Sequence, residues 1–276
     1  IMAGYGNDAI YGGPGNDALY GEGNADRIES EAGDDVMVGG NGDDVLFSNA
    51  GKDRAYGQDG LDLIAGSIDA ERLSGGDGND SITGNGGFDS ISGGNDADTV
   101  YGGDQAAVIT GDAGSDVLSA GSGDDQIDGG SGDDRVEGGN GNNVIDGGPG
   151  DDRINTGSGT DTISGNDGSD YITDAIGSGG TTSGDAGNDQ LFNYSVNALV
   201  YGGDGNDSIR AGSGADKLYG QDGDDRMSGG GGNDRIYGQN GDDDLSGEFG
   251  LDTCSGGDGF DNVTSAEECE VQYSIP

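Results

Sequence analysis

The sequence predicts an all-β solenoid of short strands and glycine-rich turns stacked along one axis. Three observations carry that prediction: a nine-residue period, one aliphatic residue at a fixed place in each period, and a composition too acidic for an ordinary globular core. The unit is visible at Gly12-Gly13-Pro14-Gly15-Asn16-Asp17-Ala18-Leu19-Tyr20. Counted from Ala3, units of nine run without a slip over 3–173, a ten-residue unit fills 174–183, and units of nine resume over 184–264. So tight a register marks a repeat architecture, in which each unit buries its apolar face only by stacking on its neighbours.

The elements of the unit follow from its places. Of the 28 nine-residue units, 26 carry Ile, Leu, Val or Met at the eighth place, the exceptions being Ala55 and Cys254. One inward aliphatic between two outward neighbours is the period-two pattern of a short strand, so the last three places are expected to form it. The first six places form the turn. Gly stands at the fourth place in 23 units and Asp at the sixth in 24. Glycines there permit positive φ and close backbone approach, which turns carbonyl oxygens and the Asp carboxylate into the space between stacked turns. Oxygen-only donors of this kind suit a hard cation, and a flexible shell of carboxylates and carbonyls suits calcium better than octahedral, water-retaining magnesium.

Composition excludes much else. The chain of 276 residues has 65 Gly, 55 Asp or Glu, 10 Lys or Arg, and neither His nor Trp. Without His, the commonest general base and zinc-ligating nitrogen are missing, so the chain reads as non-enzymatic. A net charge of -45 with no basic cluster excludes nucleic acid as a partner. No apolar run approaches the ~18 residues of a membrane span. So acidic a chain with 29% hydrophobic residues stays unfolded unless a cation neutralises the carboxylates.

The unit closely resembles the glycine-rich nonapeptide repeat of the RTX (repeats-in-toxin) family, and the resemblance covers about 95% of the chain by unit count. It implies a right-handed parallel β-roll in which two nonads make one 18-residue coil and each calcium lies between loops stacked 18 residues apart. Here that gives about 14 coils at ~4.8 Å spacing over residues 1–264, with residues 265–276 as a C-terminal cap.

Alternate units then fall on opposite sides of the roll, and the two columns differ. In the odd column the sixth place is Asp8, Asp26, Asp44, Asp62, Asp80, Asp98, Asp116, Asp134, Asp152, Asp170, Asp189, Asp207, Asp225, Asp243 and Asp261 without exception. In the even column Asp17, Asp35, Asp53, Asp89, Asp125, Asp161, Asp216, Asp234 and Asp252 are interrupted by Glu71, Ala107, Asn143 and Ala198, and nothing clear fills the place in the ten-residue unit. All these aspartates are candidate calcium ligands, in an unbroken odd file and an even file strongest at 17–53 and 216–252. About 18 to 20 ions would cancel most of the charge. An apo state that is largely unfolded, with metal binding coupled to folding, is the expectation. The interrupted stretches 174–183 and 193–200 offer a surface for a protein or carbohydrate partner.

Cys254 takes a core place and Cys269 lies in the tail. Their pairing as a disulfide over the open end of the roll is expected outside the cytosol. The terminus from Cys254 to Cys269 is similar to ends of secreted bacterial calcium-binding repeat proteins, although RTX proteins exported by the type I route usually lack Cys and carry a longer C-terminal signal. Tyr201, Tyr219 and Tyr237 recur every 18 residues at the outward ninth place and are expected to stack. Eight of the ten basic residues occupy the outward seventh place. Ile1 and Met2 match the last two places of a preceding unit, which reads as a start inside a repeat.

The expected function is a secreted, calcium-folded rigid element of matrix, surface or adhesion. The alternatives are a calcium-dependent folding module of a larger extracellular hydrolase or toxin, and a self-associating filament or surface-layer component. The fifth place varies too much for the regular Thr/Asx rows that ice binding requires.

Overall fold

The computed structural model describes residues 1–175, 177–264 and 269–271. Most of the tail expected as a cap therefore lies outside the described residues. Among those described there is no helix, and so none long and apolar enough to cross a membrane. The chain forms an all-β parallel solenoid of about 15 turns, against the roughly 14 expected. Its contacts group into two compact units, Ile1–Gly139 and Asn140–Pro276.

Each unit is built alike. In the first, strands such as Ala18–Gly23, Val36–Asn41 and Arg54–Asp59 lie side by side in one parallel sheet. Ala9–Pro14, Arg27–Ala32 and Val45–Phe47 begin the other. The second unit alternates Thr162–Asp167, Thr181–Ala186 and Leu199–Asp204 with Tyr171–Asp174, Gln190–Asn193 and Ser208–Ala211 in the same way. Register is 18 residues, as in Leu19 opposite Met37 and Ile28 opposite Leu46. It becomes 19 across the ten-residue unit, where Ile163 faces Thr182 and Ile172 faces Leu191, and 17 at the C-terminal strand, where Asp252 faces Cys269.

The eighth place is the core. Leu19, Ile28, Met37 and Leu46 are wholly buried, and so are the two exceptions, Ala55 and Cys254. Each full aliphatic contributes about 1.5 to 3 kcal/mol by burial. In the ten-residue unit a hydroxyl residue, Thr182, takes that place, also fully buried. The strands are longer than the three residues expected. Ala18–Gly23 joins the last three places of one unit to the first three of the next, with burial alternating at Leu19, Gly21 and Gly23. The alternation of a strand does not stop at the unit boundary, so the first place points inward too.

The outward features also appear. Tyr201, Tyr219 and Tyr237 stack with ring centroids 5.1 Å apart at both steps. Arg27 pairs with Glu29 at 2.7 Å and lies over the Phe47 ring, while Arg153 covers Tyr171. Cys254 and Cys269 form a disulfide with Cα atoms 5.5 Å apart, tying residue 269 to the last complete coil of the second unit.

Candidate metal centre

The loops are held in register by the sixth-place aspartates themselves. Each uses one carboxylate oxygen, Oδ1, to accept the backbone N–H of the sixth-place residue one coil earlier. In the first unit's odd file Asp8 donates to Asp26, Asp26 to Asp44, Asp44 to Asp62 and Asp62 to Asp80, all at 2.7 to 2.8 Å. Asp80, Asp98 and Asp116 continue it to Asp134. In the second unit Asp152, Asp170, Asp189, Asp207, Asp225, Asp243 and Asp261 repeat the chain of bonds. An acceptor on a short side chain is what this position requires, because the donor is the main chain of the neighbouring coil.

The second oxygen is the informative one. Oδ2 of Asp26, Asp44, Asp62, Asp80, Asp98, Asp116, Asp170, Asp189, Asp207, Asp225 and Asp243 is buried and has no hydrogen-bond partner. A buried carboxylate oxygen without a partner is costly unless a cation meets it. The glycines show what surrounds it. A Cβ added at first-place Gly57 would lie 2.0 Å from Asp62 Oδ2 and 2.7 Å from the carbonyl oxygen of Gly75, one coil on. Fourth-place Gly60, at φ +146°, presents its Cα to the Gly42 carbonyl, which an added Cβ would meet at 2.1 Å. At Gly57 and Gly60 a side chain has no room, because carboxylate and carbonyl oxygens from stacked coils crowd the same small space.

Charge in that space is unbalanced. Burial, opposed by the N–H of Asp44 and reinforced by Asp80, pushes the Asp62 carboxyl up to about 6. Asp98, Asp189 and Asp225 are pushed to about 7, burial being the largest cause and the aspartates one coil either side adding repulsion. Among the described residues no three carboxylates converge as a conventional cluster. A cation bound here must therefore draw on main-chain carbonyls as well as aspartate, a hard oxygen set that fits calcium.

The even file is less uniform, as its sequence indicates. Asp17, Asp35 and Asp53 form one run of the same bonds, and Ala198, Asp216, Asp234 and Asp252 another. Where the sixth place is Ala107 or Ala198, its backbone N–H still donates to Asp125 or Asp216, so the coil keeps register but lacks a carboxylate. Asn143 likewise donates to Asp161. Glu71 donates its N–H to Asp89 Oδ1 at 2.9 Å, and its own buried Oε2 is unpartnered; burial pushes this carboxyl to about 7. Its Oε1 accepts the hydroxyl of Ser67 in its own loop, where the aspartates' Oδ1 accepts an N–H of the coil before. Asp53 differs, because Ser30 and Ser48, serines at the first place, donate to its Oδ2 at 3.1 and 2.5 Å. Asp8, Asp17 and Asp261 are only partly buried, and the remaining sixth-place aspartates are buried. One further buried carboxylate, Asp174, lies at a first place, where the repeat template gives no reason to look.

Comparison with curated proteins finds no match. The family model of the RTX calcium-binding nonapeptide repeat, in four copies, matches again and again: residues 2–37, 38–70, 74–109, 101–136, 110–145, 137–172, 201–236 and 228–263. These matches cover most of the sequence and leave 173–200 outside. The chain therefore belongs to the RTX calcium-binding nonapeptide repeat family, and calcium, in many copies, is its cofactor.

Proposed function

We propose that the chain is a secreted module that folds on binding about 18 to 20 calcium ions and then serves as a rigid extracellular structural or adhesive element. The observation that carries this is the file of buried Oδ2 atoms without a hydrogen-bond partner, repeated along the odd column at Asp26–Asp116 and again at Asp170–Asp243. The ions are held by the sixth-place aspartates, from Asp8 to Asp261 in the odd file and on the intact runs of the even file, together with loop carbonyls. Without them, the like charges of successive coils oppose the stacking that buries the core. Calcium-dependent folding of this kind keeps the chain unfolded where calcium is scarce and rigid where it is abundant. The disulfide supports an oxidising location.

The test is calcium titration of chelator-treated protein, followed by far-UV circular dichroism, with bound ions counted by equilibrium dialysis. A coil-to-β transition near 10⁻⁴ to 10⁻³ M, the range of extracellular modules, is expected. A folded apo state, or a midpoint below about 10⁻⁶ M, would remove the reading of a module switched on outside the cell.

A further inference from the structure

The ten-residue unit, which reads as a broken place in the even file, contains an interior cluster of polar side chains. Thr156, Asp161, Asp174, Thr182, Asn193 and Ser195 are each at most 3% exposed. Their hydrogen bonds leave a specific remainder. Thr156 Oγ1 and Ser195 Oγ both donate to Asp174 Oδ1 at 3.2 Å. Asn193 donates to Thr182 Oγ1 at 2.9 Å, accepts the Ser195 N–H at 3.0 Å and also bonds the Asp174 side chain. Asp161 Oδ1 accepts the Asn143 N–H at 2.8 Å. Asp161 Oδ2 and Asp174 Oδ2 are then left buried with no partner. The two residues meet at Gly180, where an added Cβ would lie 2.9 Å from Asp161 O and 3.5 Å from Asp174 Oδ2.

The backbone explains why a carboxylate stands at the first place here. Thr181 donates its N–H to Asp161 O, and Leu199 donates to Gly180 O, which is the ladder position of a sixth-place residue. Gly180 therefore holds the place where the repeat puts Asp, but at φ +106°, where the extra residue of this unit has forced a conformation that favours glycine. In regular even loops of the same unit of the fold, a Cβ at first-place Gly229 or Gly247 would lie 2.5 or 2.3 Å from the Oδ2 of that loop's sixth-place Asp. A side chain grown from the first place thus leads to the spot the missing carboxylate would fill. Asp174 is such a side chain, and its Oδ2 lies 3.5 Å from where a Gly180 Cβ would be.

We propose that Asp174 and Asp161, with the hydroxyl oxygens of Thr156 and Ser195, form an additional calcium site of reversed polarity, in which the first place supplies the carboxylate and the sixth place supplies the glycine. Asp174 and Ser195 lie in the stretch that the family model does not match, and Thr156 and Asp161 in one that it does. The site makes the ten-residue unit a repaired coil, with a carboxylate supplied from the first place where the sixth place has none. Two buried carboxylates in one polar cluster, each with an oxygen that lacks a partner, need a cation for both to be charged.

The test is diffraction from crystals of the full chain grown in calcium, with calcium anomalous difference maps, for the native sequence and for Asp174→Asn. The native map is expected to show a peak about 2.3 to 2.6 Å from Asp174 Oδ2 and Asp161 Oδ2. Asp174→Asn should lose that peak and keep those of the odd loops. A water, or no density, between Asp161 and Asp174 while the odd loops carry peaks would overturn this proposal alone. Absence of peaks at every loop would overturn it together with the calcium reading of the sixth-place aspartates. Should Asp174→Asn fail to crystallise, the native map decides.

Discussion

Asp62 offers a way to separate the two jobs that each sixth-place aspartate performs. Its Oδ1 accepts the Asp44 N–H at 2.7 Å, and its Oδ2 is buried without a partner. Asp62→Asn keeps an oxygen for the N–H and removes the charge. Asp62→Ala removes both. In metal-free protein held at acid pH, where the carboxyls are protonated, Asp62→Asn should be nearly neutral. Asp62→Ala should lose about 1 to 3 kcal/mol from the orphaned buried N–H, roughly 5- to 150-fold in the folding equilibrium. In calcium at neutral pH both variants should move the folding midpoint to higher calcium and bind at least one ion fewer. Denaturant titration at acid pH, calcium titration by circular dichroism, and equilibrium dialysis supply the three readings. The reasoning is refuted if the variants are alike without metal, or if Asp62→Asn leaves both the calcium midpoint and the ion count unchanged.

Other consequences follow from the same structure. Burial raises the carboxyls of Asp98, Asp189 and Asp225 to about 7 from an unfolded value of 3.8. Between those values the folded, metal-free coil binds more protons than the unfolded chain, so its stability is fullest below about pH 4 and is lost as pH rises toward 7. In calcium the dependence reverses, because protons compete for the same oxygens, and the calcium midpoint should rise as pH falls below 7; circular dichroism across pH, with and without chelator, checks both signs. Cys269→Ser opens a link of sequence separation 15, which should cost about 3 kcal/mol at the C-terminal coil without lowering the ion count of the odd file. Denaturant unfolding and dialysis measure the two effects. Tyr219→Ala removes two ring contacts at 5.1 Å and should destabilise by about 1 to 3 kcal/mol beyond the lost area, again with calcium stoichiometry unchanged; a changed ion count would tie the Tyr stack to the metal sites.

Much of this protein is legible from one dimension because its architecture is one unit applied repeatedly. The eighth-place aliphatics, the two loop columns and the Tyr stack all follow from a period that places residue i beside i+18, as Leu19 beside Met37 and Tyr201 beside Tyr219. Hard-cation chemistry follows as well, since an Asp and Gly loop without His offers only oxygen. The strand length was not legible, because alternation runs through the boundary that the repeat template draws between units, carrying Gly21 inward after Leu19. Nor was the division of labour within each carboxylate, Oδ1 to the neighbouring coil's N–H and Oδ2 to the buried space between coils, or the capture of Asp53 Oδ2 by Ser30 and Ser48. Asp174 is the clearest case. In sequence it sits at a place reserved for glycine, inside the one unit that breaks the period. Only the fold, by shifting register to 19 and putting Gly180 at a positive φ where the aspartate should be, turns that irregularity into a buried carboxylate whose Oδ2 lies 3.5 Å from where a Gly180 side chain would start.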